Sequence, residues 1–460
     1  MAALAFGDAG HRVTVIERDA NPVPATPHEA FTSWNRQGAA HVRHSHAFLA
    51  RLRKLLIDRQ PALLQALFEA GCTELTLPEM LPPTMVERDP RPGDDELTLL
   101  LCRRLTFEWV LRNMVTHHPS VEWRAGVGVE ALTVGARTGA VPTVTGVGLD
   151  DNCSVPADLV VEAGGRRSAI LRHLEAIGAT APHEEMHECA IVYYTRFYAF
   201  AEGAQAPIGP PNGDLGYLKF GAFRGDNRTY SITLTTAGDD RDMRRVARPE
   251  VFDEACRAVP ALAKWTNPNC GAPITGVEVM ARLRNRRRHF VVDGAPVALG
   301  LAVVGDAALC TNPLYGRGCT TGSVHAYMAS DTYTEQGGDL DAFAHALHDS
   351  TVRDLEPFYR SSVAQDADAR ANAIALSTGV DESPMRAIVR DGLLPAMRTD
   401  PVVLRAFMRS FNLLDLPEAL LANAEVIAAV MKAYETRAER VPDPPLGPSR
   451  AEMVERLRRV

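Results

Sequence analysis

The sequence predicts an α/β fold: an open-sheet domain interrupted by a β-rich segment and followed by a helical C-terminal region. Three observations carry this expectation. Short β-branched strands alternate with helical periodicity over residues 1–165, aromatic-rich strand patterns fill 187–290, and helical patterning runs beyond residue 340, broken by a proline-rich connector at 441–448. The expected division is 1–186 with 287–340 for the discontinuous first domain, 187–286 for the inserted β-rich domain and 341–460 for the helical region.

Taken in order, residues 2–9 read as the tail of a helix, closed by Gly10 in the left-handed conformation that ends helices. Residues 12–17 form a β-branched strand ending on Glu17. Leu49, Leu52, Leu55, Leu56, Leu63, Leu64 and Leu67 give 46–70 a helical period, with Pro61 inside it. A strand at 98–102 leads into a helix carrying Phe107, Val110, Leu111 and Met114. Strands and turns alternate over 121–165 and finish in the apolar strand 158–162. A continuous apolar run of that kind predicts a sheet covered on both faces. Strands are expected at 191–198, 217–223 and 229–235, then a buried strand at 297–304 and a glycine-punctuated turn entering a helix near Thr320.

Composition narrows the function classes. A net charge of -8 over 460 residues disfavours nucleic acid and anionic membranes as partners, since both require a basic surface. No two of the eight cysteines form a CxxC pair, so all are read as structural thiols in a reducing compartment. The first residues meet Asp8 too early for a signal peptide, and no apolar run reaches the roughly 18–20 residues that span a bilayer. A cytoplasmic location is expected.

Two segments suggest a dinucleotide. A carboxylate ending the second strand of a βαβ unit accepts ribose hydroxyls, a role open to Glu17. In Gly305-Asp306-Ala307, then Pro313-Leu-Tyr-Gly316-Arg-Gly318, an aspartate stands just past a buried strand, where ligands bind in open sheets. The glycines let backbone approach a flat ligand, and the following helix start offers N–H groups and a positive dipole.

This second segment resembles the second FAD fingerprint of group A flavoprotein monooxygenases, the p-hydroxybenzoate hydroxylase-like superfamily. The resemblance implies a Rossmann-like FAD-binding domain. Asp306 would hold the ribityl chain, while Pro313, Gly316 and Gly318 would form the loop over the pyrimidine edge. Residues 13–18 resemble the family's strand ending in Glu-Arg, which assigns Glu17 and Arg18 to the adenosine side. Arg103-Arg104-Leu-Thr-Phe-Glu resembles the helix start whose arginine contacts FAD, and Arg104 is the matching position. Residues 158–168 resemble the segment near the pyrophosphate, with Gly165 in it. That form is similar to the epoxidase, halogenase and geranylgeranyl reductase branch, and Ala163-Gly164-Gly165 departs from the hydroxylases' Ala-Asp-Gly.

The matches span about residues 1–335 in the family's order. The family's first strand and GxGxxG loop have no counterpart before Ala2. Removing that strand would leave a gap between its neighbours, with unpaired backbone groups. A start site placed too late is the expected explanation. Gln37-Gly-Ala-Ala-His41-Val-Arg43-His44-Ser-His46 resembles the flavin-bordering segment of the epoxidase-like members, making Arg43 a candidate cofactor contact and His46 a pocket residue. No metal is expected there, because no carboxylate or cysteine joins the histidines. Tyr194 and Tyr198, with Arg196 between them, are candidates for a substrate wall. The basic run 282–289 is expected to be a solvated strand face.

The resemblance implies an FAD-dependent monooxygenase, with NADH or NADPH as reductant. Molecular oxygen would add at flavin C4a, and the hydroperoxyflavin would hydroxylate or epoxidise a small apolar or aromatic organic substrate. A reductase or halogenase of the same fold, or a non-catalytic paralogue, is the alternative. No side-chain catalytic group, and no role for the C-terminal helices, can be assigned from the sequence.

Overall fold

The computed structural model describes residues 1–46, 48–135, 140–208, 211–378, 384–441 and 444–460, so residues 442 and 443 of the proline-rich connector lie outside the described residues. The helix Ala2–Asp8 ends as its sequence dictates. Gly10 has φ +89°, its N–H reaches the Gly7 carbonyl at 3.1 Å, and the His11 N–H reaches Phe6 at 3.0 Å. This paired closure needs the left-handed residue that glycine supplies.

The chain then runs into Val13–Glu17, which pairs in parallel with Val121–Ala125. A second parallel pair joins Val160–Glu162 to Leu301–Val303. Among the described residues no ladder connects the two pairs. Residues 13–17 and 158–162 instead line one continuous cavity. The cavity separates the two parallel pairs at this place. The expectation that strand 158–162 is covered on both faces is corrected: Val160, Val161 and Glu162 are only half-buried because they border the cavity, whereas Leu301–Val303 behind them is buried.

The helical period gives two helices, Ala50–Arg59 and Pro61–Glu69, because Pro61 has no N–H to continue the first and is suited to start the second. Leu52, Leu56, Leu63 and Leu67 from this pair pack with Phe107 and Val110 of the helix Arg104–Thr116.

The β-rich segment is an antiparallel sheet in the order Asn212–Asp214, Leu218–Arg224, Thr229–Ala237, Ile191–Phe200, with Gly271–Pro273 and Glu278–Met280 along the far edge of Ile191–Phe200. Its pleat separates two chemistries. Tyr230, Ile232 and Leu234 join Tyr194, Tyr198, Leu218, Phe252 and Cys256 in an apolar core. Ser231, Thr233 and Thr235 alternate with them and so face the other way. The helix Pro249–Ala258 contributes to the apolar side, as does the C-terminal helix Arg450–Arg458 through Met453, Val454 and Leu457.

Two expectations about this region are corrected. The basic run is not a solvated face: Arg287 and Arg288 are buried on the strand Arg284–His289, which sits between His183–Glu188 and Leu309–Cys310. The neighbouring acidic strand neutralises it, with Arg288 2.6 Å from Glu184 and Arg284 2.7 Å from Glu188, while Arg287 pairs with Glu356 at 3.3 Å. The second correction concerns the aromatic wall. Tyr194 and Tyr198 lie on the apolar side, Arg196 turns to Asp253 at 2.8 Å, and Tyr198 stacks on Tyr230. The strand's pleat puts all three toward the covering helix and leaves Tyr193 and Thr195 on the cavity wall.

No helix among the described residues is long and apolar enough to cross a membrane.

Candidate functional site

A continuous cavity of 3490 Å³ runs through the molecule. It is several times the roughly 300–1,000 Å³ of an ordinary small-ligand pocket. Glu17, Arg18, Arg104, Gly165, Asp306, Pro313, Gly316, Gly318 and His46 all line it. Arg43 does not: its guanidinium donates to the Phe31 carbonyl at 2.8 Å and lies 5.8 Å from that residue's ring, which turns it away from the cavity.

The strand Leu301–Val303 delivers the chain into a tight turn at Gly305–Ala307, where Gly305 has φ +59° and packs close against Gly322 of the next helix. Asp306 leaves this turn at the strand's carboxyl end and accepts from Arg166 Nε at 3.2 Å. Arg166 also donates to the Thr311 carbonyl, and Arg286 holds the carbonyls of Arg166 and Asp306 at 3.1 and 3.0 Å. The next turn, Pro313–Tyr315, is capped by Asn312 and released by Gly316 at φ +66°. The 18-residue helix Gly318–Glu335 then begins without a side-chain cap, and its first residues Gly318 and Cys319 lie on the cavity wall. Uncapped N–H groups at a helix start favour an anionic or electron-rich ligand edge.

Across the cavity, Arg104 opens the helix Arg104–Thr116 and donates to Glu108 at 2.9 Å and to the Cys319 sulfur, linking that helix to the glycine loop. Glu17 is shared rather than free. Its Oε2 accepts from Arg36 and Arg112 at 3.2 and 3.1 Å, and its Oε1 accepts the Asp19 N–H at 3.0 Å. Arg36 also reaches Asp19 at 2.8 Å and Glu108 at 3.2 Å. Sequence reasoning missed Arg36 and Arg112, which no motif singles out.

It also missed a hydroxyl array. His44 Nδ1 lies 3.0 Å from Thr195 Oγ1, which lies 2.9 Å from Thr233 Oγ1; Ser45 Oγ bridges Thr233 and Ser231, each at 2.7 Å. The alternation of Ser231, Thr233 and Thr235 with large apolar residues was the available signal. Burial holds the nearby imidazoles neutral at pH 7. His44 is lowered to about 4 by burial, and His41 to about 3 by burial and then by Arg104 and Arg166. His46, lowered mainly by burial, donates through Nδ1 to the His44 carbonyl at 2.8 Å.

One group of possible metal ligands comes together among the described residues: His183, Glu185 and His289, on the sheet around Arg284–His289. Two guanidinium nitrogens of Arg360 and His289 Nε2 already hold Glu185. Its carboxyl is lowered to about 2, first by Arg360, which occupies the place of a cation.

No family model matches the sequence. A relative from Mycobacterium tuberculosis, protein Rv3254, is 26% identical over 436 residues, covering 90% of this chain and 87% of that protein. Among solved structures, PqsL of Pseudomonas aeruginosa, a probable FAD-dependent monooxygenase, superposes with a TM-score of 0.55 at 15% identity, over 82% of this chain and 93% of that one. The flavin-dependent brominase Bmp2 gives a TM-score of 0.58 at 13% identity, over 95% and 96%. The chain shares the fold of these solved structures.

Proposed function

We propose that the protein is an FAD-dependent monooxygenase that inserts one oxygen atom from O2 into a small apolar or aromatic substrate, with NADH or NADPH as reductant. One observation carries this reading: Asp306, the Gly316–Gly318 loop and Arg104 meet the threonine-lined face of the β-rich sheet in a single cavity. The donor set suits a flavin. Gly316 and Gly318 leave room for a flat ring, the uncapped helix start offers N–H groups to its electron-rich edge, and Asp306 can accept from a polyol. Glu17 and Arg18 would take the adenosine side, and Gly165 the neighbourhood of the pyrophosphate.

When bound, the flavin supplies the redox and oxygen chemistry. The chain's own work is to bind, orient and exclude water. Arg104 and Arg166 are positive charges beside the cavity, with Glu108 and Asp306 already fixing their direction. The Thr195, Thr233 and Ser45 hydroxyls can orient a polar substituent of the substrate, and neutral His44 can exchange a proton with Thr195 Oγ1. In this reading residues 1–186 with 287–340 hold the cofactor, 187–286 wall the substrate and 341–460 brace both.

The test uses the purified protein with added FAD. A flavin absorption band, and NAD(P)H oxidation stimulated by phenols or polyenes with little peroxide released, are the expected results. A protein that rejects FAD would overturn the reading in favour of a non-catalytic paralogue. Substrate saturation without oxygen consumption would favour a reductase, and dependence on bromide or chloride a halogenase.

A further inference from the structure

The C-terminal region has no motif of its own, yet the long helix Glu356–Thr378 reaches the back of the cofactor loop. Its Asp366 is buried, 6% exposed, and among the described residues no lysine or arginine forms a direct ion pair with its carboxylate, Arg317 acting on it through space. Instead it accepts three neutral donors: Asn285 Nδ2 at 2.7 Å, Asn312 Nδ2 at 2.7 Å and the Tyr315 hydroxyl at 2.8 Å. Asn312 is then fully engaged. Its N–H donates to Asn285 Oδ1 at 2.7 Å, and its Oδ1 accepts the Leu314 N–H at 3.0 Å and the Tyr193 hydroxyl at 3.1 Å. One turn of helix earlier, the same element grips the loop's other end. Arg317, buried, donates to the Phe358 carbonyl at 2.7 Å and to Ser362 Oγ at 2.5 Å.

We propose that Asp366 is a positioning residue for the cofactor: the helix Glu356–Thr378 clamps residues 312–317 from behind and sets where Pro313, Gly316 and Gly318 meet the flavin. The inference rests on the function proposed above. A loop that only closed the surface would not need a buried carboxylate, because placing a charge out of water without a directly paired cation is costly. What the carboxylate provides is direction. Asn285 and Asn312 fix the strand side and Tyr315 fixes the turn, so the loop has one orientation in which all three donors are satisfied. The node also touches the substrate side, because Tyr193 lines the cavity and bonds Asn312. Displacement of Tyr193 by a ligand is thereby passed to the loop.

The test begins with FAD titration of the unaltered protein, followed by flavin absorbance and fluorescence. Asp366→Asn preserves size but offers one acceptor oxygen to three donors. The expected result is a 10- to 100-fold weaker FAD affinity, the range of a charge-assisted hydrogen bond, with a shifted visible flavin band. Tyr315→Phe removes a single donor and is expected to raise the FAD Kd by about 3- to 10-fold with a smaller shift in the same direction. Tyr230→Phe, whose hydroxyl donates to the Trp265 carbonyl in the far core, serves as a stability control and leaves the flavin spectrum unchanged. If the unaltered protein takes no FAD, the proposed function fails first. If it binds FAD but both Asp366→Asn and Tyr315→Phe match its Kd within twofold and keep its spectrum, the positioning role is overturned. Should Asp366→Asn not fold, Tyr315→Phe alone decides.

Discussion

Asp226→Asn tests whether the cavity wall is held by a buried ion pair. Asp226 is 0% exposed, and its carboxylate takes the Arg103 N–H at 2.7 Å, Arg103 Nε at 3.1 Å and Nη2 at 2.5 Å, with Thr106 Oγ1 at 2.9 Å. Arg103 is equally enclosed, with its guanidinium 4.3 Å from the Phe31 ring. Two unit charges about 4 Å apart attract by about 4 kcal/mol at an effective dielectric constant near 20. Removing one partner of a buried pair typically costs 3–5 kcal/mol, because the surviving charge stays out of water. The two estimates agree, so Asp226→Asn should destabilise the protein by about 4 kcal/mol, read by urea unfolding followed with circular dichroism. The double variant Arg103→Met with Asp226→Leu should recover most of that loss, since no unpaired charge remains. Because Arg103 immediately precedes Arg104, the single variant should also loosen Arg104 and weaken FAD uptake. A loss below about 1 kcal/mol for Asp226→Asn would show that the pair is solvated and would refute the reasoning.

Asp306→Ala removes the carboxylate that holds Arg166 and faces the glycine loop, and equilibrium dialysis should show FAD retention falling at least tenfold, the effect of one charge-assisted bond. Gly316→Ala forces a side chain into φ +66°, which should cost about 1–2 kcal/mol in thermal unfolding and reduce FAD uptake as the loop shifts. Stability should also fall with acid between pH 6.5 and 5. His44 and His325 are held neutral by burial, at about 4 and about 3, so the unfolded chain binds protons there that the folded chain does not. Each should remove about 2 kcal/mol by pH 5, and His325→Gln should flatten the dependence in urea titrations at both pH values.

The parts of this protein that sequence could disclose are those whose chemistry is local. Gly10 and Gly316 announce left-handed turns, and Asp306 stands one turn beyond an apolar strand, so their places follow from neighbours along the chain. The α/β class and the β-rich insertion were legible for the same reason. Residues whose role depends on distant partners were not. Asp366 lies 54 positions from Asn312, and Arg36 meets Glu108 across 72. Tyr194 and Tyr198 were assigned to the wrong face because period two fixes which side chains share a face without saying which face a helix covers. The arginine run was misread since its compensating glutamates sit on a strand about a hundred residues earlier.

The division between the two parallel strand pairs has a consequence for hydrogen exchange. In a parallel ladder successive residues point their amides to opposite sides, and Val13 and Val160 already turn theirs to Ser120 and Gly300. Thr14, Ile16 and Val161 therefore present theirs to the cavity between the pairs. Strand amides at the middle of an α/β protein are ordinarily its slowest to take up deuterium, and here they should be among its fastest.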